Sequence, residues 1–117
     1  MSWTIPAASL NSASVPSDGS AIDLGNVRSS HGIEVVLDLT TANDTPQVWL
    51  EGSLDGVNWY SMNTPAGMPI YQVPSSQPAG TYIVLVMVAN QPAQYVRATS
   101  DGPSGCATVT TLHTATA

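Results

Sequence analysis

The stretch Val48-Trp49-Leu50-Glu51-Gly52-Ser53-Leu54-Asp55-Gly56-Val57-Asn58-Trp59-Tyr60 decides the fold class. Its first half alternates: Val48 and Leu50 point one way, Trp49 and Glu51 the other, which is the period of a half-buried strand. The Asp55-Gly56 step then separates it from a second apolar-rich segment, Asn58 to Met62. Asp-Gly between two such segments is a strong hairpin signal, because glycine supplies the positive φ of a twist-matched turn. Asp55-Gly56 is therefore expected to be a tight turn, not a ligand site.

The same period extends outward from the hairpin. Ile22 and Leu24 flank Asp23; Ile33, Val35, Leu37 and Leu39 share one face while Glu34 and Asp38 take the other. Ser29, Ser30, His31 and Gly32 between them read as turn material. Residues 41–46 form a loop into the hairpin. The segment from Asn63 to Gly80 holds four prolines, Pro65, Pro69, Pro74 and Pro78; proline cannot donate to a ladder, so a long loop is expected, with at most a short edge strand around Ile70 to Val73. Tyr82 to Ala89 is apolar at every position. An antiparallel strand with one wet face would alternate, so this one is expected to be covered on both sides: by the core, and by the N-terminal arm, the Pro-rich loop or another subunit. Gln94 to Ser100 and Cys106 to Ala117 complete the strands. No stretch repeats apolar residues at helical spacing with caps.

Seven or eight short strands with regular turn signals predict an all-β fold, an antiparallel β-sandwich of Ig-like or jelly-roll-like kind. The Cys-Trp-Cys framework of true Ig domains is absent. Residues 1–19, with Pro6 and Pro16 bracketing a Ser/Ala-rich stretch, read as an extended N-terminal arm; residues 20–117 read as a single sandwich domain.

Charged residues make up 9% of the chain, against ~25% typically. The only cations are Arg28 and Arg97, and the net charge is -6. Nucleic-acid binding draws its affinity from Lys and Arg neutralising phosphates, so nucleic acid is excluded as a main ligand, and an anionic membrane likewise. Apolar content of 43% is too high for disorder. A surface so poor in charge suits contact with other protein subunits, whose interface cores are charge-depleted; a lysine-poor coding bias gives the same composition. The N-terminal residues Met1 to Pro6 lack the basic and apolar regions of a secretory signal. The longest apolar stretch is far below the ~20 residues of a membrane-spanning helix, so a soluble protein made without an export signal is expected.

Residues able to carry chemistry are few. His31 and His113 stand 82 positions apart, and Cys106 sits in an apolar/Thr alternation as a small core residue. No Gly-x-Ser-x-Gly elbow surrounds any serine, no ligand-spaced cluster suggests a metal, and no glycine-rich phosphate cradle precedes a helix. Asp38, Asn43 and Asp44 match no calcium-loop spacing. The expectation is a non-enzymatic chain without cofactor or metal. Trp49, Trp59 and Tyr60 leave two readings open: an anchor under the arm or a partner chain, or an aromatic platform for a sugar.

The string Gly52-Ser53-Leu54-Asp55-Gly56-Val57-Asn58-Trp59 resembles a hairpin that recurs in β-sandwich structural proteins of tailed-bacteriophage virions, where a GS-x-DG-x-x-W string joins two core strands. The resemblance is confined to residues 50–59. It implies a virion structural protein, placed on the capsid surface as a decoration protein or in the tail, with the major capsid protein or other virion subunits as partners and a homo-oligomeric state. The Asp-box hairpin of sialidases is also similar, but Ser53 to Trp59 is one residue short of it and the chain carries one copy. Residues that a sandwich core does not need are the interface candidates: Trp3, Ile5 and Leu10 of the arm, Trp49, Met68, Ile70 and Tyr71 of the Pro-rich loop, and the outer set of the two-faced strand, with Tyr82 named from it. A glycan-binding module is the alternative function, and a small hydrolase using His31 or His113 a third.

Overall fold

The alternation in the sequence is realised as two antiparallel sheets packed face to face. The computed structural model describes residues 2–62 and 68–117, and among these there is no helix. The strands are β1 (Ala7–Ala8), β2 (Ala13–Ser14), β3 (Ser17–Asp18), β4 (Ile22–Arg28), β5 (Ser30–Leu39), β6 (Gln47–Ser53), β7 (Tyr60–Ser61), β8 (Tyr71–Gln72), β9 (Gly80–Val88), β10 (Ala93–Asp101) and β11 (Ala107–Thr116).

The first sheet runs β1-β11-β5-β9, with β2 also on β11; the second runs β3-β10-β6-β7, with β4 on β10 and β8 on β6. Because the two-residue strands share edges, eleven segments fill eight positions. Counting β1 and β2 as the first position, β3 and β4 as the second and β7 and β8 as the fifth, the sheets read 1-8-3-6 and 2-7-4-5. Consecutive positions change sheet at every step but one. This is jelly-roll order, and it selects between the two sandwich types that the sequence leaves open.

Parity explains the core. On β5, Ile33, Val35 and Leu37 point inward and are fully buried, as are Val109 on β11, Val48 on β6 and Val96 on β10. Each contributes about 1.5–3 kcal/mol by leaving water. β-branched residues dominate because they fit a pleated, half-buried surface.

The expected arm is built into this core. β1 and β2 pair with β11 and β3 with β10, so residues 7–18 touch both sheets. Leu10 and Val15 belong to the buried cluster. Backbone hydrogen bonds pin the segment: Thr111 N–H donates to Leu10 O at 2.9 Å, Val15 N–H to Ala107 O at 3.0 Å and Gly19 N–H to Ala98 O at 2.8 Å. Gly19 is required there, since a Cβ would collide with Ser9 Oγ and the Ala98 carbonyl.

The hairpin is present as β6 and β7, with Glu51 opposite Ser61 and Gly52 opposite Tyr60. Its connection is a wider loop than the expected tight turn. Six residues, Leu54 to Trp59, separate the strands. The short edge strand expected near Ile70 is β8; the expected loop residues 63–67 lie outside the described residues.

β9 corrects a second expectation. Its inner side chains Val84 and Val86 pack on the core, but its outer ones, Ile83, Leu85 and Met87, are 64%, 70% and 59% exposed. Neither the arm nor the described part of the Pro-rich loop covers them. β9 is an edge strand, held only by β5 among the described residues.

Candidate functional site

The outer face of the first sheet carries an apolar stripe. The register of β5 on β9 sets Val36 opposite Ile83, Glu34 opposite Leu85, and Gly32 opposite Met87. Because Gly32 has no side chain, the Met87 thioether lies across it: a Cβ there would stand 3.4 Å from Met87 Sδ and 3.8 Å from the Trp3 ring. Trp3 thus extends the stripe past β5. It is held by the run beside β11, where Thr4 N–H donates to Ala115 O at 2.8 Å and Ala115 N–H to Thr4 Oγ1 at 2.9 Å. Leu112, opposite Glu34 on β11, is also exposed. Among the described residues, the charges on this face are the carboxylates of Glu34 and Asp38, the second accepting from Thr81 Oγ1.

The outer face of the second sheet is more polar. Arg97 Nε donates to Glu51 Oε1 at 2.9 Å, and the guanidinium lies 4.1 Å from the centroid of the Trp59 ring. One face of Trp59 is therefore occupied. Trp49, opposite Thr99, is half-buried.

The β6–β7 loop is organised by one carboxylate. Asp55 Oδ1 accepts from the N–H groups of Val57 and Asn58 at 2.8 Å each, and from Ser53 Oγ at 3.0 Å; Oδ2 accepts from Asn58 Nδ2 at 2.8 Å. The Asn58 and Val57 donors hold the carboxyl well below the usual carboxylate range. Gly56 adopts φ 78°. Leu54, Asp55, Asn58 and Tyr60 line a shallow depression of about 250 Å³ beside the loop. Since every Asp55 bond is to its own loop, its role here is an Asx turn.

Two histidines that the sequence separates by 82 positions meet in the interior. His31 Nδ1 and His113 Nε2 are 3.0 Å apart. No group of three or more His, Cys, Asp or Glu side chains among the described residues could hold a metal ion. Cys106 is buried, and burial pushes its thiol up, away from the reactive thiolate.

The interface candidates divide. Trp3 stands on the stripe, Ile5 is 90% exposed beyond it, and Met68 is exposed. Trp49 is on the other sheet. Ile70, Tyr71 and Tyr82 are half-buried and pack on the core. Leu10 is 2% exposed; it fills the core and offers nothing to a partner, because its segment is sewn to β11. Ile83, Leu85 and Met87 form the outer set of the two-faced strand that the sequence assigns to an interface, in place of Tyr82, the residue named from it; Val36 and Leu112 are not among the candidates. The fully apolar run from Tyr82 to Ala89 signals two covered faces but hides which parity faces outward.

No family model and no curated protein matches the sequence. Among solved structures, the fold is similar to CBM32-1 from a family 31 glycoside hydrolase of Clostridium perfringens, at TM-score 0.45 and 12% identity over 79% of this chain and 65% of that one. It is also similar to infectious bursal disease virus chains, Gx strain (TM-score 0.43, 10% identity, 95% of this chain and 31% of that one) and Gt strain (0.40, 10%, 96% and 29%). This chain thus spans less than two thirds of the length of each.

Proposed function

We propose that this chain is a non-enzymatic structural protein that bridges subunits of a virion, on the capsid surface of a tailed bacteriophage before its tail. The observation that carries the bridging role is the stripe of Ile83, Leu85 and Met87 beside Val36 and Trp3. Exposed apolar area of this extent on a monomer marks an interaction site. The setting rests on the resemblance of residues 50–59 to virion hairpins. The jelly-roll order agrees with it, since viral capsid domains use that order, but so do lectins, and a fold does not by itself assign a function. The mechanism is burial of apolar area between subunits, with no bond made or broken.

The test compares particles with and without the protein, identified by mass spectrometry of the particle. Particles lacking it are expected to assemble but to rupture at lower temperature or lower force. Equal robustness would remove the stabilising role. The competing reading, a glycan-binding module, has the half-buried Trp49, with Thr99 opposite it, in its favour; against it, the Trp59 ring already stacks on Arg97. Specific binding on a glycan array would select it.

A further inference from the structure

Natural sheets blunt their edges with short strands, bulges, prolines or charges, since a free edge is a template for another strand. The other edges here follow that rule. β1, β2, β3, β7 and β8 have two residues each, and β4 meets β10 with a register shift between Ala93 and Tyr95. β9 does not. It is nine residues long, contains no charge and no proline, and its ladder with β5 runs from Gly80 to Val88 without a shift. Nothing pairs with its outer edge among the described residues.

We infer that two copies of this chain pair antiparallel through β9, about a two-fold axis at Leu85. The inference rests on the bridging role proposed above and names its first partner. A two-fold normal to the sheet sets Leu85 opposite Leu85 of the second copy and Ile83 opposite Met87. Outer residues then meet only outer residues, so the two stripes lie side by side and the apolar band doubles in width. Moving the axis to Val84 leaves Met87 against Thr81.

Charge permits this occupant. Glu34 lies one strand back from the edge, so the two Glu34 carboxylates stand about 14 Å apart, three strand spacings, beyond the ~8 Å screening length of physiological salt. A face-to-face dimer of these sheets would instead press Glu34 and Asp38 against like charges. Neither cation could offset them: Arg97 is held by Glu51, and Arg28 Nη2 donates to Leu24 O. The contact is modest in area. A strand about 30 Å long and a sheet ~10 Å thick give on the order of 300 Å² of contact cross-section per copy, below the ~800 Å² of a standard interface. The dimer is therefore concentration-dependent in solution and reinforced where a particle surface concentrates the protein.

Sedimentation equilibrium from low to high micromolar concentration is expected to show a reversible monomer-dimer exchange. Leu85→Lys sets like charges opposite each other and should raise the dimer dissociation constant by roughly tenfold or more, with unchanged circular dichroism. Single-cysteine cross-linking reads the register. Leu85→Cys should form an intersubunit disulfide on mild oxidation, directly opposite Cβ atoms standing about 4.5–5.5 Å apart, a gap that a small strand movement closes to the ~4 Å of a disulfide. Ile83→Cys alone should not, being offset from its own copy by about 13 Å, but should cross-link when mixed with Met87→Cys. Buried Cys106 does not interfere. A wild-type monomer throughout, or a dimer that Leu85→Lys leaves intact and Leu85→Cys does not cross-link, overturns the inference. A monomer whose Leu85→Lys variant nevertheless fails to join particles would end the pairing but keep the bridging role. A cross-linking dimer whose Leu85→Lys variant still joins particles would do the reverse.

Discussion

His31 and His113 form a buried imidazole pair whose tautomers are dictated by the carbonyls around it. His31 Nε2 lies 3.1 Å from Arg28 O and 3.0 Å from Gln91 O. Carbonyls only accept, so Nε2 carries the proton and neutral His31 presents a lone pair at Nδ1. His113 Nε2–H donates to it at 3.0 Å. His113 Nδ1 is then a lone pair, buried without a partner. The pair ties the β4–β5 turn to the β9–β10 turn through one side chain.

The pair predicts loss of stability in acid. Burial pushes both histidines down, His113 to about 3 with the adjacent His31 adding to the effect. The unfolded chain, titrating near 6.5, binds more protons than the native one throughout that window, so stability is complete above pH 6.5 and falls as pH drops toward 3. The loss should be on the order of 2–5 kcal/mol, read as urea midpoints across pH. His113→Gln keeps a donor toward His31 but removes one titrating ring, so its midpoint should fall less steeply. An identical slope in the variant would remove the pair as the cause.

Leu10 gives a second prediction. Leu10→Ala should cost about 2–5 kcal/mol, as core leucines do, whereas the exposed Ile5→Ala should stay within ~0.5 kcal/mol. Deleting residues 1–10 removes β1 and Leu10 together and is expected to impair folding itself, which denaturation curves of the three variants would separate. A full-length stability in Leu10→Ala would return this segment to the role of a detachable arm.

In the β6–β7 loop, Gly56→Val should cost about 1 kcal/mol or more, from the positive φ alone, because the nearest atoms to a Cβ there, on the Tyr95 ring, are at an ordinary 3.6 Å. Asp55→Asn retains an acceptor for the two backbone donors but turns an amide toward the Asn58 amide. Its melting temperature should fall below wild type and stay above that of Asp55→Ala. Binding lost in Asp55→Asn with the melting temperature unchanged would show a functional carboxylate instead.

Arg97 should matter modestly to stability and visibly to spectroscopy. Arg97→Ala removes both the half-exposed ion pair to Glu51 and the guanidinium over Trp59, together about 1 kcal/mol. Tryptophan emission should shift to the red as Trp59 gains water. An unshifted spectrum would mean that the ring is shielded by something other than Arg97.

Much of the fold was legible locally. Alternation in Ile33 to Leu39 and in Val48 to Leu50 exposes the inner faces directly, because a strand sends successive side chains to opposite sides. The hairpin at Asp55 was legible for the same reason, though not its loop length, which the Asp55 carboxylate decides by collecting donors from Val57 and Asn58. The site was less legible. The run from Tyr82 to Ala89 carries no polar residue to mark the wet side, so nothing local distinguishes Ile83, Leu85 and Met87 from Tyr82, Val84 and Val86.

By itself, then, the chain's order of residues determined an all-β sandwich with an unusually uncharged surface, since period-two patterning and turn chemistry act between near neighbours. The tertiary structure alone decided the rest. It placed Leu10 in the core, chose the jelly-roll order, brought His31 against His113, and left β9 at an edge with one apolar face open. Each of these depends on which distant strands lie side by side, and a strand's period is the same whichever neighbour it finds.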